Sequence, residues 1–434
     1  MKLIRTVLFS LILLASSSLT TAQTTDSPLL DMLALVPDAP HGDLFYADFA
    51  AIEQAYPAAQ APANWAEYAA WRDSSGEDLL ASTVWWRVFS NFNSEALLYF
   101  TEYDRMPELM GIDFFQIDRV VYDGFPPQQV YYLAGDFDLA AIQAALTARN
   151  FTPEATGTDL ELWCGEVGCE NSDQMNLQLR DVADIFGGDL GRQWARLISS
   201  DLMIGANQFA SLQQVEATLA GDQASLAENN LYRAAVGAVA DQGVVLQATI
   251  LSPDALEQFA DPLLLFPFGA DAAVLAEAYA RLLDQDFETL PQYDAVLAAD
   301  VVNESKQMLQ VVLIYTDETD ATEAARIVPE RIAEYESLAN RRPFADLLED
   351  FYVAPVTAEV VPLEGAFAVR VTFATRLATP EEIVQLSPQA DLSDLPEVTA
   401  PGLLYRIFVR GYATRDLGWL STASREQIEA LAGN

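Results

Sequence analysis

The sequence predicts an α+β fold of two related modules, each an antiparallel sheet with helices packed on one face. Three observations predict it. Short apolar runs rich in Val, Ile and Tyr, bounded by Gly and Pro, read as strands. Between them lie capped segments whose apolar residues recur at helical spacing. A strand–strand–helix–strand order then appears twice, first in residues 118–163 and again in residues 293–361.

The chain opens with a short basic stretch, Met1-Lys2-Leu3-Ile4-Arg5, then an apolar run from Val7 to Ala15 and small residues up to Ala22. This pattern reads as a secretory signal peptide cleaved after Ala22. Its apolar run is about ten residues, where a membrane span needs roughly 20. No Cys follows the cleavage point, so no lipid anchor is indicated, and the later run Leu263-Leu264-Leu265-Phe266 is closed off by Pro262 and Pro267. The mature chain is therefore expected to be secreted or extracytoplasmic, in the periplasm or at the cell surface, with no transmembrane segment.

Residues 27–38 look like a short helix, and Leu44-Phe45-Tyr46-Ala47-Asp48-Phe49 like a strand running into a helix. Trp65, Tyr68 and Trp71 recur at helical spacing, which favours core packing over a sugar-stacking platform with Trp85 and Trp86. Residues 118–123 and 129–136 read as paired strands around Gly124-Phe125-Pro126-Pro127. Asp138 should cap the helix that follows, with Leu139, Ile142 and Leu146 on one face.

Cys164 and Cys169 are the only cysteines; in an exported chain they should form a local disulfide that staples a loop tip. Gly187-Gly188-Asp189-Leu190-Gly191-Arg192 lacks the Gly-Lys-Ser/Thr ending of a phosphate loop and reads as a turn. Residues 201–250 are a buried strand, a helix capped by Asn207 or Ser211 and stopped at Gly221, a second helical run and a returning strand.

Residues 272–283 are helical, and the Pro- and Gly-punctuated region before them is the expected hinge. The second module should hold strands at 293–302, 308–316, 357–361 and 366–374. Its helix should begin at Asp320 or Thr322 and kink or restart at Pro329. Leu403 to Gly411 reads as a strand with Arg406, Phe408 and Arg410 on one face. The expected division is a signal peptide over 1–22, a first module over 23–260, a connecting helical segment over 261–290 and a second module over 291–434.

Net charge is −41, from 64 acidic against 23 basic residues, and after Lys2 the only lysine is Lys306. So acidic a surface repels phosphate backbones, which excludes nucleic acid as a partner. His41 is the single histidine and sits in a Pro40-His41-Gly42 turn, where a surface position is expected. One histidine cannot build a multi-histidine metal site, and no nucleophile motif accompanies it. Asp284-Gln285-Asp286 and Asp317-Glu318-Thr319-Asp320 begin like calcium loops but lack the Gly and Glu that complete one. Lys306 follows Ser305 on a strand, where neighbours face opposite ways, so the two do not form a catalytic pair. Asp73-Ser74-Ser75-Gly76 departs from an aspartic-protease motif by one residue and has no second copy.

Ile204-Gly205-Ala206 before a helix and Ser225-Leu226-Ala227-Glu228-Asn229 after it resemble a group of uncharacterised exported bacterial proteins. Leu35-Val36-Pro37-Asp38 followed by Phe45-Tyr46-Ala47-Asp48-Phe49 is similar to their start, without the Ala that stands between the Pro and Asp of their turn. Residues 35–250 carry this resemblance, which implies an extracytoplasmic location and no assigned activity. The expected function is a non-catalytic binding or scaffold protein of the envelope or extracellular space, with an unknown partner and no metal or cofactor. The alternative is a carboxylate-dependent glycan hydrolase, which needs two facing carboxylates in an aromatic cleft.

Overall fold

The computed structural model describes residues 27–55, 62–72, 100–124, 128–251, 262, 271–285, 287–303, 306–349, 353, 355–376 and 402–432. Its centre is a strand pair from opposite halves of the chain, β1 (Leu44–Asp48) and β8 (Val244–Leu251), antiparallel with Leu44 opposite Ile250. On one side of that pair follow β2 (Ile117–Asp123), β3 (Val130–Gly135), β7 (Leu202–Ala206) and β6 (Ala195–Ile198). On the other side follow β9 (Ala295–Val302), β10 (Lys306–Tyr315), β14 (Ala366–Arg376) and β13 (Thr357–Leu363).

Each half is thus a leading strand, a hairpin, and a second hairpin whose later strand folds back beside the first. The strand order is the same outward from the β1–β8 pair in both directions. β5 (Glu161–Cys164) and β4 (Thr152–Glu154) extend only the first half, bringing the sheet to 12 strands. A separate ribbon pairs β11 (Glu336–Ser337) with β12 (Arg342–Pro343). The α+β class and the related antiparallel halves hold, and β1–β8 pairing makes the two sheets one.

The connection between hairpins is a helix on the same sheet face in both halves: α5 (Leu139–Ala148) in the first, α9 (Glu318–Glu334) in the second. Phe45 on β1 packs against the apolar residues beneath both. The opposite face is also covered, by α1 (Pro28–Leu33), α6 (Phe209–Leu219) and α7 (Asn230–Ala240), over one continuous core. Burial on both faces explains why β9 and most of β10 read as near-continuous apolar runs, interrupted by Asp300 and Gln310, rather than as alternations.

Several starts and stops follow from side-chain caps. Asp138 accepts from the backbone N–H groups of Ala140 and Ala141, as its position predicts. α9 begins earlier than expected because Asp317, not Asp320 or Thr322, caps it by accepting from the N–H of Thr319 and Asp320. Pro329 sits inside α9 without ending it. Two residues on, buried Arg331 donates to the carbonyls of Glu288, Trp419 and Ser421, which anchors the helix beyond the missing bond. α6 starts at Phe209 after Gln208 with no side-chain cap, so neither Asn207 nor Ser211 caps it.

Residues 403–411 form a helix, α11 (Leu403–Ala413), and the strand reading is corrected. Leu404, Tyr405, Phe408 and Tyr412 are buried, a helical set, while Arg406 and Arg410 are exposed. The helix is held against the central strands: Tyr405 Oη lies 2.5 Å from Thr249 Oγ1, and the Tyr412 hydroxyl donates to Asp43. The region expected as a hinge lies outside the described residues but for Pro262.

A candidate ligand cleft at one end of the central strands

β1 ends at Asp48, where the chain turns directly into α2 (Phe49–Ala55). Asp48 Oδ1 accepts from the Ala51 N–H at 2.7 Å, so the carboxylate caps that helix. Tyr46, two residues earlier and on the same sheet face, donates its hydroxyl to Asp48 Oδ2 at 2.9 Å. Arg119 of β2 stands directly across from Asp48. The β2–β3 register shifts between Ile117 and Arg119, and this irregularity lets both Asp118 and Arg119 reach the same space although they are adjacent.

Together with the start of α1, the end of α7 and the first residues of β8, these groups enclose a half-open cleft of about 500 Å³. That lies in the range of small-ligand sites, roughly 300–1,000 Å³. Its apolar wall is made by Leu29, Ala50, Ala51, Val244 and Val245.

Burial pushes the Asp48 carboxyl up, opposed by the Ala51 and Tyr46 hydrogen bonds and by the Arg119 charge. Burial and then the Asp48 charge raise the Tyr46 phenol well above its ordinary value. Tyr46 therefore keeps its proton and Asp48 serves as acceptor. Ser27 is engaged as the α1 cap, accepting from the Leu30 N–H. The lining offers groups for recognition and no nucleophile held beside a general base.

Tyr46 and Asp48 belong to the Leu44–Phe49 segment named from sequence as a strand, but none of the residues weighed for chemistry lies in this cleft. Cys164 and Cys169 do form the expected disulfide, across a turn closed by the Gly168 N–H donating to the Gly165 carbonyl. The surface expectation for His41 is corrected: the residue is half-buried, its Cβ and backbone lie close to Gly124, burial lowers its pKa, and Nε2 is buried with no hydrogen-bond partner among the described residues. Trp65 and Tyr68 belong to the core, on α3 (Trp65–Arg72), where they pack with Phe115. Trp85, Trp86, Ser305 and residues 73–76 lie outside the described residues, as does the side chain of Trp71. Asp317 is a helix cap and Asp284 ends α8 (Ala272–Asp284). Among the described residues no three Asp, Glu, His or Cys side chains converge on a point that could hold a metal ion.

Sequence reasoning missed the buried charges, among them Asp123, Asp300 and Asp184. Asp123 accepts from the His41 N–H at 2.9 Å, and burial raises its pKa to about 7. Asp300, in the middle of β9 between Gln247 and Gln307, is also raised to about 7 by burial. Asp184 holds Arg149 at 2.7 Å and Arg196 at 2.6 Å; those two guanidiniums drive its pKa below the usual carboxylate range against the opposing effect of full burial. The only available signal was a charge inside an apolar run, as in Ala298-Ala299-Asp300-Val301-Val302.

No described helix is long and apolar enough to cross a membrane. No family model matches the chain, and no curated protein matches it. Among solved structures, crystal form I of TP0453 aligns over 84% of this chain and 96% of that one, at 7% identity and a TM-score of 0.30. Crystal form IV aligns over 82% and 95%, at 8% identity and a TM-score of 0.31. A likeness this shallow assigns no role.

Proposed function

We propose that this chain is an exported, non-catalytic binding or scaffold protein of the envelope or extracellular space, and that it binds through the cleft at the end of β1. The observation that carries the reading is the cleft itself: about 500 Å³, with Tyr46, Asp48, Asp118 and Arg119 grouped on its polar side. The leader-like first 22 residues and the Cys164–Cys169 disulfide support an oxidising, extracytoplasmic setting. The resemblance of residues 35–250 to exported bacterial proteins accords with it. Of the tryptophans the hydrolase reading would place on a cleft wall, Trp65 is buried in the core at 5% exposure, so it does not serve there.

The test is a thermal-shift and calorimetric screen of the exported chain against amino acids, peptides, sugars, polyamines and envelope glycans, with Val245→Trp as a cleft-filling control. Saturable binding that the control loses supports the proposal. Turnover of a glycan, or binding that the control leaves unchanged, overturns it.

A further inference from the structure

We infer that the cleft takes a small zwitterion, an amino acid or short peptide with its ammonium and carboxylate both free. This rests on the binding reading of the cleft and names the class of ligand.

Arg119 is the first ground. Its side chain is 31% exposed, and its one ion contact among the described residues is with Asp31 at 4.0 Å, whose side chain is itself 68% exposed. Contacts so long and so solvated hold little. Among the described residues the guanidinium makes no hydrogen bond, whereas the more buried Arg149, Arg196, Arg331 and Arg370 are all hydrogen-bonded. In a chain of 23 basic and 64 acidic residues, an arginine with its donors uncommitted inside a concave site is exceptional. Its planar fork matches a carboxylate bidentately.

Charge balance is the second. A simple anion on Arg119 would lie near Asp48 and Asp118 and close to the carboxyl end of α7 at Ala240, all of which repel it. A simple cation on Asp118 would lie near Arg119. A ligand with both charges satisfies both sides: carboxylate on Arg119, ammonium toward Asp118 and the free lone pairs of Asp48. Ala50, Ala51 and Val245 form the apolar wall for a small side chain.

The experiment is isothermal titration of residues 23–434 with alanyl-alanine, its N-acetyl form and its C-terminal amide. Acetate, spermidine and glucose are run alongside. The free dipeptide is expected to bind, with each blocked form at least tenfold weaker. Arg119→Gln should erase the preference for carboxylate over amide, and Asp118→Asn the preference for free over acetylated amine, both with an unchanged melting temperature in the absence of ligand. Equal binding of free and blocked peptides overturns the inference. Arg119-dependent binding of acetate, spermidine or glucose with none of the dipeptide overturns it too, while leaving the cleft as a binding site. If none of the six compounds binds, both the inference and the binding role of the cleft fall.

Discussion

Arg370 of β14 donates Nη1 to the Ala238 carbonyl at 2.7 Å and to Asp241 at 2.6 Å, seizing the carboxyl end of α7. Its Nε and Nη2 hold Glu359 on the neighbouring edge strand at 3.0 and 2.7 Å. A cation at a helix carboxyl terminus is favoured by the exposed carbonyls there. Here it fastens a helix from residues 201–250, which follows the first half's strands in the chain, to the sheet of the second half, since α7 lies over β9, β10 and β14.

Arg370→Met should therefore loosen that attachment. The guanidinium is buried but both carboxylate partners are more than half exposed, so the ion pairs themselves add little. The bond to the Ala238 carbonyl is the larger loss. A cost of about 1–3 kcal/mol is expected for charge-assisted bonds of this kind. Urea unfolding should show a lower midpoint with an unchanged slope.

Asp300 supplies a prediction in pH. Its folded pKa of about 7 lies above the ordinary value of 3.8, so between those values the folded state keeps a proton that the unfolded state has released. Stability then falls as pH rises from about 4 to about 7 and levels off above it. Asp300→Asn removes this dependence. The variant should match the wild type near pH 4 and exceed it at pH 8 by about 2–4 kcal/mol. A wild type equally stable relative to the variant at both pH values would refute the assignment of a retained proton.

The architecture was legible where local chemistry decides it. Asp138 before an apolar helical face, and two Val- and Tyr-rich runs around Gly124, specify α5 and the β2–β3 hairpin without reference to anything distant. α11 was not. Arg406, Phe408 and Arg410 alternate as a strand would, while Leu404, Tyr405, Phe408 and Tyr412 repeat as a helix, and the arbiter is the central sheet surface that receives Tyr405 and Tyr412. The joining of the halves was equally hidden, because it depends on β1 and β8 meeting across some 200 residues of chain. The cleft shares that origin. Tyr46, Arg119 and Val245 converge only once those strands are neighbours, and nothing local marks Arg119 as lacking a close partner among the described residues.

The Cys164–Cys169 disulfide closes a ring of few residues, so it restricts little of the unfolded chain. On the loop-entropy account, replacing both cysteines by serine should cost about 2 kcal/mol or less. The expected signature is a small fall in melting temperature with the far-ultraviolet spectrum unchanged. Intact-mass measurement of the native protein, with and without alkylation after reduction, should show two thiols released. Loss of folding on substitution would mean that the staple organises more than its own turn.

Asp184→Ala should be far more damaging than any surface change. The Asp184 carboxylate is fully buried and takes charge-assisted bonds from Arg149 and Arg196. Arg196 is itself inaccessible and lies between the rings of Phe151 and Phe186, 4.8 and 5.0 Å from their centroids, which cannot replace a counter-charge. Burial already pulls the Arg196 pKa down to about 10 with Asp184 present. Without it, two guanidiniums face each other in a low-dielectric site, and breaking a buried pair in this way costs about 3–5 kcal/mol. Asp184→Asn keeps the shape and part of the hydrogen bonding but not the charge, so it should fall between wild type and alanine. Chemical denaturation of the three proteins at neutral pH checks that order. Equal losses for Asn and Ala would show that charge, rather than hydrogen bonding, carries the site. A wild-type-like Asn variant would overturn the role given to the charge.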